Sequence, residues 1–228
     1  MTEDQIKEFK ETEKEAEDSY DLRDLADEIV DAGDKEWAKK IYMKAEEKAE
    51  KANDFRNLAN SIHENLGDKE WAKKLYKKVE TKAEDHGEFT ELAYWIHQNL
   101  GDKEWAKILY KKAESKPGAV FDDFISDADY IRNELGDEEW ANKVFKKAED
   151  KAESFDDLER LAGIIRFNEF GSDEPKTEWA EKICKIAEEN AEDISAYESL
   201  AEWIRNTLGN EKWAKLIDQK AKELEDDN

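Results

Sequence analysis

The chain has 228 residues, of which 43% are charged and 38% hydrophobic, and its formal net charge is −24. Its eight Trp, seven Tyr and nine Phe exclude the disorder that such a charge fraction would suggest, because disordered chains contain few aromatic residues. The acidic excess disfavours direct binding to nucleic acid, which needs a basic surface for the phosphates. No apolar run approaches the roughly 18 residues of a membrane span.

The N-terminal segment, residues 1–18, is polar and contains Ile6, Phe9 and Ala16 but no Trp. It has neither the apolar core of a signal peptide nor the Arg-rich pattern of a transit peptide. We therefore expect a capping helix on a cytoplasmic protein. The single cysteine, Cys184, cannot form a disulfide within the chain.

The rest of the chain repeats a unit of about 34 residues. Six Trp residues are each followed at once by Ala, four positions later by a branched aliphatic residue and eight positions later by a small apolar residue. These offsets lie on one face of a helix, so each Trp marks an amphipathic helix. The six residues are Trp37, Trp71, Trp105, Trp140, Trp179 and Trp213, at spacings of 34, 34, 35, 39 and 34.

Another amphipathic helix precedes each Trp-marked helix and forms the first half of the unit. A Gly that suits the left-handed end of a helix and an Asp that suits a helix N-cap separate the two helices in most copies. No alternation of period two occurs, so no strand is predicted. In the second repeat the apolar positions of this first helix are Phe55, Leu58, Ala59, Ile62 and Leu66, and the third and sixth repeats have the same offsets.

These patterns predict an all-α fold, an α-solenoid in which neighbouring hairpins complete each other's core. It has six helical hairpins of about 34 residues and an N-terminal capping helix, about 13 helices in total. Asp218, which replaces the Tyr, Phe or Cys of earlier repeats, is interpreted as lying on an exposed terminal face. A single domain is predicted, with the cap at 1–18 and repeats at approximately 19–52, 53–86, 87–120, 121–154, 155–193 and 194–228.

Irregularities interrupt the repeat in its second half. Lys116-Pro117-Gly118 ends a helix early, because Pro cannot continue one. Five residues are added between Trp140 and Trp179, four of which lengthen the predicted joint at 171–178. Asp127 takes the place that Leu58 has in the second repeat. Insertions in solenoids often lie on the binding face, although drift in a tolerant loop is the simpler interpretation.

The run Leu-Ala-x-x-Ile-x-x-x-Leu-Gly-Asp-x-Glu-Trp-Ala-x-x-Leu-Tyr-x-x-Ala, from Leu92 to Ala113, resembles the tetratricopeptide repeat and its half-a-TPR relatives. The first helix is about one residue longer than in that family, its closing Pro is absent, and Trp105 replaces the usual acidic residue. The resemblance implies a scaffold that binds proteins or peptides along a concave surface lined by the first helices.

Aromatic residues outside the apolar stripe of the first helices are the main binding candidates, since Trp and Tyr dominate binding hot spots. They are Tyr94, Trp95, Tyr130 and Trp203, of which the last three align with Ser61. The resemblance places them in the concave groove. The alternative interpretation is additional packing between neighbouring first helices. The six repeat Trp residues are instead expected in the core.

His63 and His97 occupy equivalent positions in adjacent repeats and could hydrogen-bond a ligand in the groove. Two histidines do not make a metal site, and solvated or half-packed side chains are the simpler interpretation. Cys184 lies in a core aromatic position, which predicts a buried thiol rather than a nucleophile. The lysines of the second helices are interpreted as a solvated face paired with Glu. No catalytic, phosphate-binding or metal-binding motif is present, so neither an enzyme nor a cofactor is predicted.

The sequence therefore predicts a monomeric, non-enzymatic scaffold for an unidentified protein or peptide, without a membrane partner. Two alternatives stay open. An acidic decoy would mimic nucleic acid and bind a basic partner, although the acidic excess is concentrated towards the two ends of the chain. A structural repeat would assemble end to end, although its terminal helices are charged.

Overall fold

A computed structural model of the chain describes the backbone of residues 1–167 and 173–226, and the side chains of residues 1–165 and 178–225. This part is all-α, with thirteen α-helices and no strand, as predicted. None of these helices combines the length and apolar character needed to cross a membrane.

The helices fall into two compact units, residues 1–119 and 120–228, so that the boundary in sequence follows Pro117. The first unit contains α1 (Glu3–Glu15), α2 (Ser19–Asp31), α3 (Lys35–Lys48), α4 (Ala52–Ser61), α5 (Lys69–Lys82), α6 (His86–Trp95) and α7 (Lys103–Ala113). In the second unit lie α8 (Phe121–Asn133), α9 (Glu138–Glu149), α10 (Phe155–Phe167), α11 (Asp173–Asn190), α12 (Ile194–Trp203) and α13 (Glu211–Asp226).

From α2 onwards, consecutive helices pack in pairs as the predicted hairpins, in a solenoid-like arrangement within each unit. Gly67 ends the first helix of the second repeat with φ of +70°, a conformation that residues with a Cβ rarely adopt. Asp68 then caps α5 by accepting the Trp71 N–H at 3.0 Å. Equivalent caps join Asp34 to Trp37, Asp102 to Trp105, Asp137 to Trp140 and Asn210 to Trp213.

The first helices α4, α6 and α12 each continue into a π-helical turn, at Ile62–Leu66, Ile96–Leu100 and Ile204–Leu208. In these repeats Gly follows the buried Ile by five positions, whereas Gly33 follows Ile29 by four and α2 has no such turn. A π turn accommodates one more residue than an α turn. It therefore accommodates the additional residue between the buried Ile and the Gly in these three first helices.

The two irregular regions have different outcomes. α7 ends at Ala113, before Lys116-Pro117-Gly118, as predicted. The longer joint predicted at 171–178 is wrong for its larger part, because α11 begins at Asp173 and Pro175 lies in its first turn, where Pro leaves no helical hydrogen bond unmade. Residues 168–172, which include the start of the predicted joint, lie outside the described part of the chain.

The hairpin cores consist of the Ala and aliphatic residues that the repeat predicts. Leu58, Ala59, Ile62, Ala72 and Leu75, for example, are all inaccessible to solvent. The repeat Trp residues are different: Trp140 is buried, but the other five are only half-buried. The prediction of six core Trp residues is therefore wrong for five, because their rings lie at the seam between consecutive second helices.

Candidate functional site

Tyr94 and Trp95 form an aromatic pair at the end of α6. Their ring centroids are 5.1 Å apart and the rings meet edge to face, at an interplanar angle of 81°. Tyr94 is 40% exposed and Trp95 is half-buried. α6 thus presents an apolar and hydrogen-bonding surface within a face that is otherwise mainly polar.

In other repeats, the residue equivalent to Trp95 contacts the preceding first helix. Ser61, its equivalent on α4, donates a hydrogen bond to Asp27 Oδ2 on α2 at 3.1 Å. In the second unit Trp203 is half-buried, and a Cβ placed on Gly163 of α10 would lie 3.7 Å from Trp203 Nε1. Packing between first helices therefore accounts for part of the Trp203 surface. Tyr130, on α8, is also half-buried.

A hydrogen-bond network that was not predicted from the sequence joins the first two repeats. Asp27 accepts a hydrogen bond from the Tyr42 hydroxyl and one from Asn65 Nδ2 at 2.9 Å, in addition to that from Ser61. Asn65 Nδ2 also donates to the Tyr42 oxygen at 2.9 Å. Burial and the bond to Asp27 raise the pKa of Tyr42, so its hydroxyl remains a donor at physiological pH.

The next repeat junction repeats this network with neutral groups. Tyr76 donates to Asn60 Oδ1, while Asn99 Nδ2 donates to Asn60 at 3.1 Å and to Tyr76 at 2.7 Å. Burial raises the pKa of Tyr76 to about 12. The sequence signal is a Tyr five positions after the repeat Trp, and an Asn three positions after the buried Ile of the following repeat.

Ion pairs and polar bonds add further links between consecutive first helices. Arg56 on α4 pairs with Glu91 on α6, and burial lowers the pKa of the Arg56 guanidinium. In the same register of the second unit, Ser199 donates to Glu159 Oε1 at 2.9 Å. In the first unit, the Arg56–Glu91 pair links α4 to α6, and the bond between Ser61 and Asp27 links α2 to α4. The first helices that flank the aromatic pair are therefore connected to one another.

His63 and His97 lie at equivalent places in the π-helical turns, and both are half-buried. Their carbonyl oxygens accept the Gly67 and Gly101 N–H groups. His63 Nδ1 is buried and has no hydrogen-bond partner among the described residues. The half-packed interpretation describes both side chains. Within the described part, no three His, Cys, Asp or Glu residues are arranged to hold a metal ion.

The third histidine, His86, was not among the candidates predicted from the sequence. It is 2% exposed in the first turn of α6, at the place of Ala52 in α4. Its backbone N–H donates to the Pro117 oxygen at 3.1 Å. His86 thus fills a core position beside the irregular loop that follows α7.

Glutamates nine positions after a repeat Trp link consecutive second helices. Glu46 on α3 accepts hydrogen bonds from Trp71 Nε1 at 2.7 Å and from Lys78 Nζ at 2.6 Å, both on α5. Lys78 therefore pairs with a Glu, as expected for the lysines of the second helices, but the Glu belongs to the preceding repeat. Equivalent triads are Glu80 with Trp105 and Lys112, and Glu188 with Trp213 and Lys220. Glu149 accepts from Trp179 and from Lys182, a lysine three rather than seven positions after its Trp.

Two polar departures from the repeat also have defined surroundings. Asp218, expected on an exposed terminal face, is half-exposed and pairs with Arg205 of the same hairpin, with 2.5 Å between Asp218 Oδ2 and the guanidinium. The ion pair provides a partner where other repeats bury a Tyr. Asp127 is 6% exposed on α8, at the place where α4 buries Leu58.

Cys184 on α11 is 1% exposed, in agreement with the predicted buried thiol. Burial, together with the nearby carboxylates of Glu159 and Glu181, raises its pKa from its ordinary 9.0 to about 12. We expect iodoacetamide to alkylate Cys184 at pH 8 at least about 100-fold more slowly than free cysteine, because only the thiolate reacts. Mass spectrometry against time measures the rate, and the unfolded chain in guanidinium is the control. A folded-state rate within tenfold of that control would show that the thiol is accessible.

No model of a known protein family matches the sequence, and a search of curated proteins finds no match either. The part of the chain that the structure describes is all-helical, and its helices pack in neighbouring pairs as in a helical repeat protein.

Proposed function

We propose that the chain is a non-enzymatic, monomeric cytoplasmic scaffold that binds a protein or peptide along the first-helix surface of residues 1–119. The aromatic pair Tyr94 and Trp95 would anchor the partner. The carrying observation is that this pair is accessible, with Tyr94 40% exposed and in edge-to-face contact with Trp95. Aromatic side chains of this kind supply much of the binding energy at protein interfaces.

The surroundings of the pair are organised before a partner binds. α4 contacts both α2 and α6, and the bonds between Ser61 and Asp27 and between Arg56 and Glu91 fix these helices beforehand. A rigid surface loses less conformational entropy when a partner binds. The hairpins also resemble tetratricopeptide repeats, which bind peptides on this side, and that analogy supports the proposal without defining the partner.

His63 and His97 extend the proposed surface. They lie one position after the buried Ile of α4 and α6, two positions after Ser61 and Trp95 respectively. An unprotonated imidazole nitrogen accepts a hydrogen bond, and a protonated one donates. His63 is only half-buried, so the exposed part of its ring can orient a polar group of a peptide. Tyr130 and Trp203 would serve as anchors of the second unit.

Peptide selection tests this proposal. Random 12-residue peptides are displayed on phage, selected on the immobilised full chain and measured by calorimetry. Tyr94→Ala and Trp95→Ala are each expected to weaken binding at least about tenfold, because truncating a hot-spot aromatic removes about 2 kcal/mol or more. Ile108→Ala is the matched control, since Ile108 is 53% exposed but lies on the second helix α7, and we expect less than a twofold change.

Two other outcomes would contradict the proposal. Equal affinities for all four chains would show that peptides bind elsewhere. Binding that survives both anchor substitutions at 20 mM salt but disappears at 500 mM would favour the acidic decoy, because exposed charge interactions are screened at high ionic strength.

A further inference from the structure

α1 occupies the place of a second helix from a preceding repeat. Phe9 contacts Trp37 of α3 edge to face, with 6.0 Å between the ring centroids. Tyr42 contacts Trp71 of α5 in the same way at 6.5 Å. Glu13 pairs with Lys44 as Glu46 pairs with Lys78 at 2.6 Å. The predicted capping helix thus imitates the contacts between repeats.

The covered face of α3 therefore recognises a helix by a defined pattern, an aromatic residue followed four positions later by Glu. Lys48 of the same face donates to the carbonyl oxygens of Ala16 and Glu17, at 2.9 and 2.8 Å, just beyond the end of α1. A cation at this place favours the negative end of a helix dipole. In sequence the pattern recurs as Phe9 with Glu13, Tyr42 with Glu46, Tyr76 with Glu80, Tyr110 with Glu114 and Phe145 with Glu149.

α1 fits this face less completely than a regular second helix. Where α3 buries Ala38, Ile41 and Ala45, α1 has Gln5, Glu8 and Thr12, and all three are exposed. Phe9 is the single buried residue of α1, so little apolar burial opposes the entropy lost when thirteen residues are ordered. Helices with so few buried contacts open at low free-energy cost.

Trp37 also lacks a bond that its equivalents make. Trp71 and Trp105 each donate through Nε1 to a Glu of the preceding second helix, at 2.7 and 2.9 Å. Within the part of the chain that the structure describes, Trp37 Nε1 donates no hydrogen bond. The face covered by α1 therefore retains a donor that a better-fitting helix can satisfy.

We propose that the face formed by Trp37, Lys44 and Lys48, the α3 docking face, binds an amphipathic helix of a partner protein. That helix carries an aromatic residue followed four positions later by Glu, and it displaces α1. The α3 docking face is on a second helix, so this inference does not depend on the peptide surface around Tyr94 and Trp95.

A fluorescent, helix-stabilised peptide with the sequence of residues 35–50, which contains Tyr42 and Glu46, serves as the probe. It is titrated with the full chain, and fluorescence anisotropy gives the apparent affinity. Phe9→Ala is expected to bind the probe at least about tenfold more tightly than the unmodified chain, because it raises the fraction in which the face is uncovered. Glu8→Pro should give the same gain, since Pro breaks α1 without removing Phe9.

A charge exchange establishes the site of binding. Adding Lys44→Glu to Phe9→Ala is expected to remove the gain, and a probe with Glu46→Lys should restore it on that double variant. Circular dichroism checks that every variant keeps its helices. No gain from either α1 variant, or a gain that survives Lys44→Glu, would overturn the proposal. A variant that forms dimers in sedimentation and excludes the probe would assign the face to a second copy and also overturn it.

Discussion

Replacing Asp27 by Ala is expected to lower the free energy of unfolding of the first unit by about 2–4 kcal/mol. The substitution leaves the Tyr42 hydroxyl, Ser61 Oγ and Asn65 Nδ2 without their shared acceptor. A buried donor that loses its partner destabilises by about 1–3 kcal/mol, and part-exposed donors fall at the lower end. Urea denaturation followed by circular dichroism at 222 nm measures the change.

Asp27→Asn is the matched control, because Asn60 has this place in the next repeat and accepts from Tyr76 and Asn99. We expect this variant to lie within about 1 kcal/mol of the unmodified chain, since the amide oxygen still accepts from Tyr42 and Asn65. Equal losses in both variants would show that the charge of Asp27, rather than its hydrogen bonds, stabilises the junction. If the hydrogen bonds stabilise the junction, the double variant with Asp27→Ala and Asn65→Ala should lose less stability than the sum of the two single losses, because both residues belong to one network.

The sequence predicted the helices well because their signals are local. The spacing of Phe55, Leu58 and Ile62 defines a helix face, while Gly67 and Asp68 define a helix end and the next helix start. Both are complete within one hairpin and need no knowledge of how hairpins meet. The π-helical turns were not predicted, because the extra residue between Ile62 and Gly67 fits a loop equally well in sequence.

Contacts between repeats were harder to predict, although part of their signal was present. Glu46 lies nine positions after Trp37, and the same spacing recurs in five of the six repeats. Its meaning emerges only when Trp71 of the next repeat is seen to donate to it. Trp71 is half-buried for the same reason: its ring lies between α3 and α5, where its indole nitrogen reaches Glu46.

The candidate site was predictable as a set of residues but not as a surface. Tyr94 and Trp95 are recognisable in sequence as aromatic residues outside the apolar stripe. Their contact was not predictable, because neighbouring side chains of a helix point in different directions, and their exposure depends on how closely α4 and α6 approach. Trp203 shows the difference: it lies against Gly163 of the neighbouring first helix. In sequence Gly163 reads only as a weak helix residue.

Replacing Asp127 by Leu is expected to raise the free energy of unfolding of the second unit by about 1–4 kcal/mol. Asp127 is 6% exposed, and interactions with its neighbours seldom recover the full cost of removing a carboxylate from water. Leu fits the same helical register, because five other first helices bury Leu there without distortion. Those residues are Leu25, Leu58, Leu92, Leu161 and Leu200.

Thermal and urea denaturation of Asp127→Leu measure this gain, and Asp127→Asn separates charge from shape. If burial of the charge is the cost, the Asn variant should gain part of the stability and the Leu variant more. A loss in both variants would show that the carboxylate organises α8 through its interactions, and would refute the prediction. A gain in both would mean that Asp127 does not serve stability. Asp127 lies three residues before Tyr130 on α8. In that case, the peptide affinity of Asp127→Leu should be measured to test whether the carboxylate contributes to binding.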